Sequence, residues 1–347
     1  MIKKLYLENG YLNFDWIFSK NYPYIFMVGA KSIGKTYGAL LYALTHNIKF
    51  IYMRRTQTQL DSINDEEDSP FMKINMQTHF NVQPKKISKN FIGYYNAEYN
   101  FETNENELMG NPIGYGLALS TFHNVSSIGF SDVDMLIYDE FIPMYHERLL
   151  KDESMIFFKF IDNIARNREL ENKKPLQVIC MANADRLDNA LFLDLGLTDI
   201  ARKNTNEIYY NDDMHLMLIQ PMNSPITEKK KQTTLYQLTK HTKFYKLAIE
   251  NKFNIDESLI KSYNLKQFEL YATIGDLCFY KHKNEFIYYC TKFKKGSTNN
   301  VYKITKKDLK AFRKNHKNIL NAFLKNKLFF ENYECLSIYE NNMLKYN

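Results

Sequence analysis

The sequence predicts an α/β protein, a mostly parallel sheet covered by helices, followed by a smaller region of α+β character. Three observations predict it. An apolar run, YIFMV at 24–28, feeds a glycine-rich turn and then a small-residue helical stretch, TYGALLYALT. Buried strand patterns and helical patterns then alternate to about residue 195 with little hairpin character, as parallel sheets require. Beyond about residue 268 the style changes to short strands punctuated by Gly-Asp and Lys-Asn turns, ending in a basic amphipathic stretch.

Taken in order, residues 1–22, with Trp16, Ile17 and Phe18, predict a packed arm or short helix; the arm acquires Glu8, Asn9 and Gly10 before any apolar run develops and reads as mature sequence. Strand 24–28 is followed by a helix at 36–45 and a second buried strand at 48–53. The acidic stretch DSINDEED at 61–68 is a loop or helix start, and 91–95 and 114–120 are further strands. Strand 133–138, a helix over 154–165, strand 176–181 and a short helix over 188–195 complete a first domain, 1–197. Between 198 and 231 the pattern dissolves into NTNE, NDD and PMNSP, which predicts a linker or small connecting subdomain. The rest, 232–347, is a second domain with antiparallel strands at 268–274, 277–281, 285–290 and 301–304 and one amphipathic helix over 306–327, its apolar face Leu309, Phe312, Ile319, Leu320 and Phe323.

Composition narrows the function. With 45% hydrophobic and 15% aromatic residues the 347-residue chain can bury large cores, yet no stretch reaches the roughly 18 consecutive apolar residues of a membrane span. The four cysteines stand singly without metal-ligand spacing and read as buried free thiols of a reducing compartment. Charge is divided unevenly: residues 1–200 carry 20 Lys and Arg against 25 Asp and Glu, residues 201–347 carry 26 against 14. Within 281–327 there are 14 basic residues and only Glu285 and Asp308. Lys292, Lys294, Lys295, Lys303, Lys306, Lys307, Lys310, Arg313, Lys314 and Lys317 alternate there with Tyr and Phe, a surface that attracts a phosphate backbone without reading bases.

The chemistry sits in the first domain. Gly29, Ala30, Lys31, Ser32, Ile33, Gly34, Lys35 and Thr36 form a complete G-x-x-x-x-G-K-T string between strand and helix. Its glycines let backbone N–H groups face phosphate, Lys35 reaches β and γ phosphates, and Thr36 can ligate Mg²⁺, so the expected ligands are ATP and Mg²⁺. Strand MLIY ends in Asp139, a second Mg²⁺ group, and Glu140, a candidate base for the attacking water. Asn183, after strand 176–181, can orient that water or cap a turn. Arg166 and Arg168 end the helix over 154–165; one of them presented to another subunit's γ-phosphate would neutralise transition-state charge. Of Arg54 and Arg55, one contacts nucleotide and the other an acidic neighbour, or both are structural. No histidine has zinc-like spacing.

GAKSIGKTYG, FIYMRR, MLIYDEF, ARNRE and VICMANA, in this order and spacing, resemble the genome-packaging ATPases of bacteriophage phi29 and its small tailed-phage relatives. The likeness covers 24–200 well and continues more weakly over 268–335, where NVYKITKKDL carries it. It implies an additional-strand catalytic glutamate (ASCE), RecA-like P-loop ATPase domain joined to a degenerate RNase H-like domain. It further implies a homo-oligomeric ring, a pentamer, that works at the portal vertex of a procapsid in the host cytoplasm, joined through an RNA or protein adaptor, and translocates double-stranded DNA. Carried over residue by residue, it makes Lys35 and Thr36 the Walker A pair, Asp139 and Glu140 the Walker B pair, and Arg166 the trans-acting finger. A family lysine meets Ser126 here, with Lys151 or Arg148 as substitutes. The acidic residues Glu269, Asp276, Glu285 and Asp308 do not form a two-metal nuclease cluster, so the second domain is expected to grip DNA without cutting it. The competing readings are another DNA-pumping or helicase-type ATPase, and a nucleotide-gated DNA-binding scaffold without steady turnover.

Overall fold

The computed structural model describes residues 5–63, 68–124, 129–144, 147, 150–184, 189–249 and 257–344. The chain divides into two compact units, one made of Met1–Leu191 with Asn204–Asn254, the other of Phe192–Lys203 with Ile255–Asn347.

The first unit is built on a sheet of nine strands: β1 (Tyr24–Val28), β2 (Phe50–Arg54), β3 (Val82–Ser88), β4 (Phe91–Asn100), β5 (Glu105–Ala118), β6 (Met135–Asp139), β7 (Gln177–Ala182), β8 (Ile208–Asn211) and β9 (Leu216–Ile219). Their order is β3-β4-β5-β2-β6-β7-β1-β9-β8. The six strands from β5 to β9 in this order are parallel, with β1 between β7 and β9 and β6 between β2 and β7. All five residues of β6 and the last four of β1 are buried. That follows from a sheet covered on both faces, where continuous apolar runs replace alternation.

Two features depart from the sequence reading. The sheet is mixed, since β3, β4 and β5 form an antiparallel edge. The long β4–β5 hairpin, whose exposed far end is rich in Glu and Asn, runs through 96–113, where only 91–95 and 114–120 are expected as strands. The stretch 198–231, expected as a linker or small connecting subdomain, supplies β8 and β9, and β9 pairs in parallel with β1. Its apolar run LMLI is fully buried, so 208–219 belongs to the sheet of the first unit, while 198–203 falls in the second unit.

The N-terminal arm closes over the helix Lys35–Thr45. Phe14 opens a short helix, Phe14–Phe18, capped by Asn13, whose side chain accepts from the Trp16 N–H. A side chain at Gly38 would place its Cβ 2.4 Å from the Phe14 ring, so only glycine there lets arm and helix meet this closely.

The second unit holds a five-stranded sheet: β10 (Phe268–Ile274), β11 (Leu277–His282), β12 (Tyr288–Thr291), β13 (Val301–Tyr302) and β14 (Leu328–Phe330), in the order β13-β10-β11-β12-β14. The central three strands are antiparallel as expected, and the two edges, β13 and β14, join in parallel. The expected single helix over 306–327 is two, Lys306–Asn315 and Lys317–Leu324. They break at His316, which leaves helical geometry at ψ 43° and is buried with its Nε2 3.2 Å from the Tyr302 hydroxyl. Leu309, Phe312 and Ile319 are buried as the apolar face predicts, while Leu320 is exposed. All four cysteines are free and buried.

Candidate active site at the end of the parallel sheet

Strand β1 stops at Val28, and the Gly29 N–H donates to the Ala182 carbonyl at the end of β7. The turn that follows passes through Ser32 and Gly34 at φ 63° and 87°, both left-handed. Gly34 needs no side chain for a second reason: a Cβ there would lie 3.0 Å from Cδ1 of Tyr11. The helix Lys35–Thr45 then starts with its free N–H groups facing the loop, the arrangement that attracts phosphate.

Lys35 is buried, and its Nζ donates to the carbonyls of Gly29 at 2.9 Å and Ala30 at 2.7 Å and to Asn183 Oδ1 at 3.1 Å. Asn183 is therefore brought to the loop, by way of the lysine. Thr36 Oγ1 donates to Asp139 Oδ2 at 2.8 Å, and the Tyr52 hydroxyl donates to the same oxygen at 2.9 Å. A hydroxyl and a carboxylate this close are hard oxygen donors of the kind Mg²⁺ takes, so the residues present fit that ion.

Arg54, at the end of β2, reaches both acids: Nη1 lies 3.4 Å from Asp139 Oδ2, and Nη2 pairs with Glu140 Oε2. Burial works against the Arg54 charge, but Tyr52 and the two carboxylates outweigh it and hold the guanidinium's pKa above its ordinary value. Burial and the neighbouring Asp139 also push the Tyr52 phenol well upward, so it stays a neutral donor. Glu140 sits at φ 54°, past the strand, with its side chain 43% exposed beside a 6% exposed Asp139. The two acids thus differ in solvent access as a metal-holding group and a water-facing group would. Arg55, pointing from β2 to the other face, is spent on Glu153, with Nε–Oε1 at 2.7 Å and Nη2–Oε2 at 3.0 Å. The alternation of a strand separates the two arginines into one at the site and one in the core.

One cavity of about 880 Å³ has Ser32, Gly34, Lys35, Thr36, Asp139, Glu140 and Asn183 in its walls; Arg54 and Tyr52 do not line it and reach it only through the two acids. Gly29, Ala30 and Ile33 lie in the loop behind it, and Lys31 also borders the cavity, its carbonyl accepting from Lys230 Nζ.

Arg166 lies outside the cavity. It caps the helix Glu153–Ala165 at φ 44°, is exposed, and its Nε donates to the Asn163 carbonyl. Arg168, by contrast, donates to the Val133 carbonyl at 2.9 Å and pairs with Asp134, ahead of β6. Ser126 and Arg148 lie outside the described residues; Lys151 is described and 93% exposed, with Asp152 at 3.9 Å. Tyr52 and the arm residues Leu7 and Tyr11 escape a reading of motifs, because Tyr52 looks like one more apolar strand residue and the arm reaches the loop only through tertiary packing. Among the described residues no group of three or more His, Cys, Asp and Glu is arranged to hold a metal, and no helix is long and apolar enough to cross a membrane.

The sequence profile of the podovirus DNA encapsidation protein (Gp16) family matches residues 6–347. The DNA packaging protein of Bacillus phage phi29 is 23% identical over 325 residues, 88% of this chain and 89% of that one. Two solved structures share the fold. The phi-28 gp11 DNA packaging motor aligns with a TM-score of 0.62 at 17% identity, covering 98% of this chain and 100% of that one. The bacteriophage phi-29 viral genome packaging motor assembly aligns with a TM-score of 0.64 at 18% identity, covering 94% and 97%. Matched over nearly its whole length, the chain belongs to the podovirus DNA encapsidation protein family.

Proposed function

From that membership we propose that the chain is the ATPase subunit of a genome-packaging motor, which translocates double-stranded viral DNA into a preformed procapsid. The observation that carries this is the convergence of Lys35, Thr36, Asp139 and Glu140 on one cavity at the end of the parallel sheet. The first unit is an ASCE, RecA-like ATPase; the second is a degenerate RNase H-like domain that engages DNA and does not cut it. The exposed lysines 292, 294, 295, 303, 306, 307, 310, 314 and 317 support that role for the second unit.

In the reaction, loop N–H groups and Lys35 hold the β and γ phosphates of ATP. Thr36 and Asp139 would hold Mg²⁺, which would supply charge neutralisation at the phosphates. Glu140, released from Arg54, takes the proton of the attacking water, and Asn183 orients it. Arg166 belongs to the next subunit's site: it is exposed and outside its own cavity, whereas Arg168 is tied to Val133 and Asp134. A homo-oligomeric ring, a pentamer, follows as the assembly, seated on the portal directly or through an RNA or protein adaptor.

Mixing Arg166→Ala with Glu140→Gln subunits tests the shared site. Each variant alone is expected to be inactive, the arginine change costing about 10³-fold or more. Activity regained in the mixture supports catalysis across a subunit boundary, and a fully active Arg166→Ala protein overturns it.

A further inference from the structure

We propose that the turn over residues 7–11 forms the base-binding wall of the nucleotide site, with the Tyr11 ring as the surface on which the base stacks. This rests on reading the glycine-rich loop as the triphosphate site.

The direction of the ligand comes from strand order. β1 delivers the loop, and Asp139 and Glu140 lie on its β6 side, beyond β7. The terminal phosphate faces those acids, so the base end leaves the loop on the opposite side, toward β9. The arm occupies that side. The Tyr6 hydroxyl donates to Glu207 at 2.5 Å, and the same Glu207 oxygen accepts the N–H groups of Met222 and Asn223, just past β9. Ser224 Oγ donates to the Gly10 carbonyl at 3.4 Å. The turn is thus fastened to the segment after β9 and is preorganised before any ligand arrives.

Within the turn, the Leu7 N–H donates to the Tyr11 carbonyl at 2.8 Å, which holds the two residues side by side. Both line the cavity, and both are left open to it, Leu7 43% and Tyr11 42% exposed. An edge of the Tyr11 ring rests on Gly34, and its hydroxyl has no hydrogen-bond partner among the described residues. A ring pinned at one edge by the phosphate loop, with an apolar neighbour beside it, suits a flat aromatic ligand connected to that phosphate. Pro70, Lys73 and Gln77 also line the cavity, as do Phe14, Tyr37 and Tyr42, of which Phe14 and Tyr42 are packed against Phe18. The Asn9 and Asn13 side-chain oxygens each accept one backbone N–H, of Tyr11 and Trp16 respectively, which orients those side chains within the turn. The contact that the Tyr11 ring itself can supply is stacking.

Calorimetric titration of the full chain with Mg-ATP and, separately, with magnesium tripolyphosphate tests this. Tyr11→Ala is expected to weaken ATP about tenfold, in keeping with one lost base–aromatic stack, and to leave tripolyphosphate affinity unchanged. Tyr11→Phe is expected to bind both as the parent does. Tyr11→Leu, which keeps an apolar contact on Gly34, separates loss of the ring from loss of the arm and is expected to behave as Tyr11→Ala. Unchanged ATP binding by Tyr11→Ala and Tyr11→Leu, or equal loss of ATP and tripolyphosphate, overturns the base wall while leaving the phosphate site standing. A parent protein that binds neither ligand overturns the phosphate site itself, and the base wall with it.

Discussion

The two units carry charge in opposite ways. At the end of the first sheet, Arg54, Tyr52, Asp139 and Glu140 interlock, with the arginine side chain 12% exposed and Asp139 6%. In the second unit the lysines of 292–317 stand in solvent, and among the described residues Lys292 meets an acid, Glu334, that comes from outside the basic stretch. An interlocked group is specific to its position, because removing one member strands a desolvated partner. Exposed like charges act as a sum and are screened beyond about 8–10 Å in ordinary salt. If the first set carries the proposed chemistry and the second the proposed grip, substitutions in the first should act all or none, those in the second by degrees.

The sharpest way to break this comparison is Glu140→Gln. If Glu140 is the base, steady hydrolysis falls by about 10²–10⁴-fold with ATP still bound. Normal turnover in a steady-state phosphate-release assay removes the assignment. Behind the site, Arg55→Ala leaves Glu153 buried and unpaired, and denaturant unfolding of the first unit should register a loss of about 3–5 kcal/mol. A loss under about 1 kcal/mol in that assay would place the pair among weak, solvated ones.

The second unit should answer gradually. Replacing Lys306, Lys307 and Lys310 by Gln is expected to lower DNA affinity equally for unrelated sequences. The slope of log affinity against log salt should flatten by about one per phosphate contact removed, as read by fluorescence anisotropy. A loss confined to one sequence would mean base reading.

The smallest effect concerns pH. Burial lowers the pKa of His316 from its usual value, so between its folded and unfolded values the unfolded chain holds a proton that the folded one lacks. Stability of the second unit therefore declines as pH falls through about 6.5. Hydrogen exchange of the amides in 306–324 should speed up from pH 7 to pH 5 beyond its intrinsic pH dependence, and His316→Phe should remove that excess.

Much of the site was legible because its parts are local: a loop between a strand and a helix, and two acids at a strand's end. What escaped was tertiary. β9 is only four residues long, LMLI between NDD and PMNSP, and its neighbours outvoted it; pairing with β1 is what makes it a strand. The far part of the β4–β5 hairpin, 96–113, carries so many exposed polar residues that no continuous buried face marks it in sequence. The helix break at His316 has neither Gly nor Pro to announce it and comes from the ring's burial against Tyr302 and Phe312. Tyr11 is meaningful only because Gly34 lies beneath it.

The proposed function requires hydrolysis in the first unit to be coupled to a phosphate-backbone grip in the second. It is tested most directly by the ATP hydrolysis rate of the full chain with and without double-stranded DNA over a range of salt. Stimulation by DNA of any sequence is expected, fading steeply as salt rises while the DNA-free rate holds steady. A rate indifferent to DNA at low salt would contradict it.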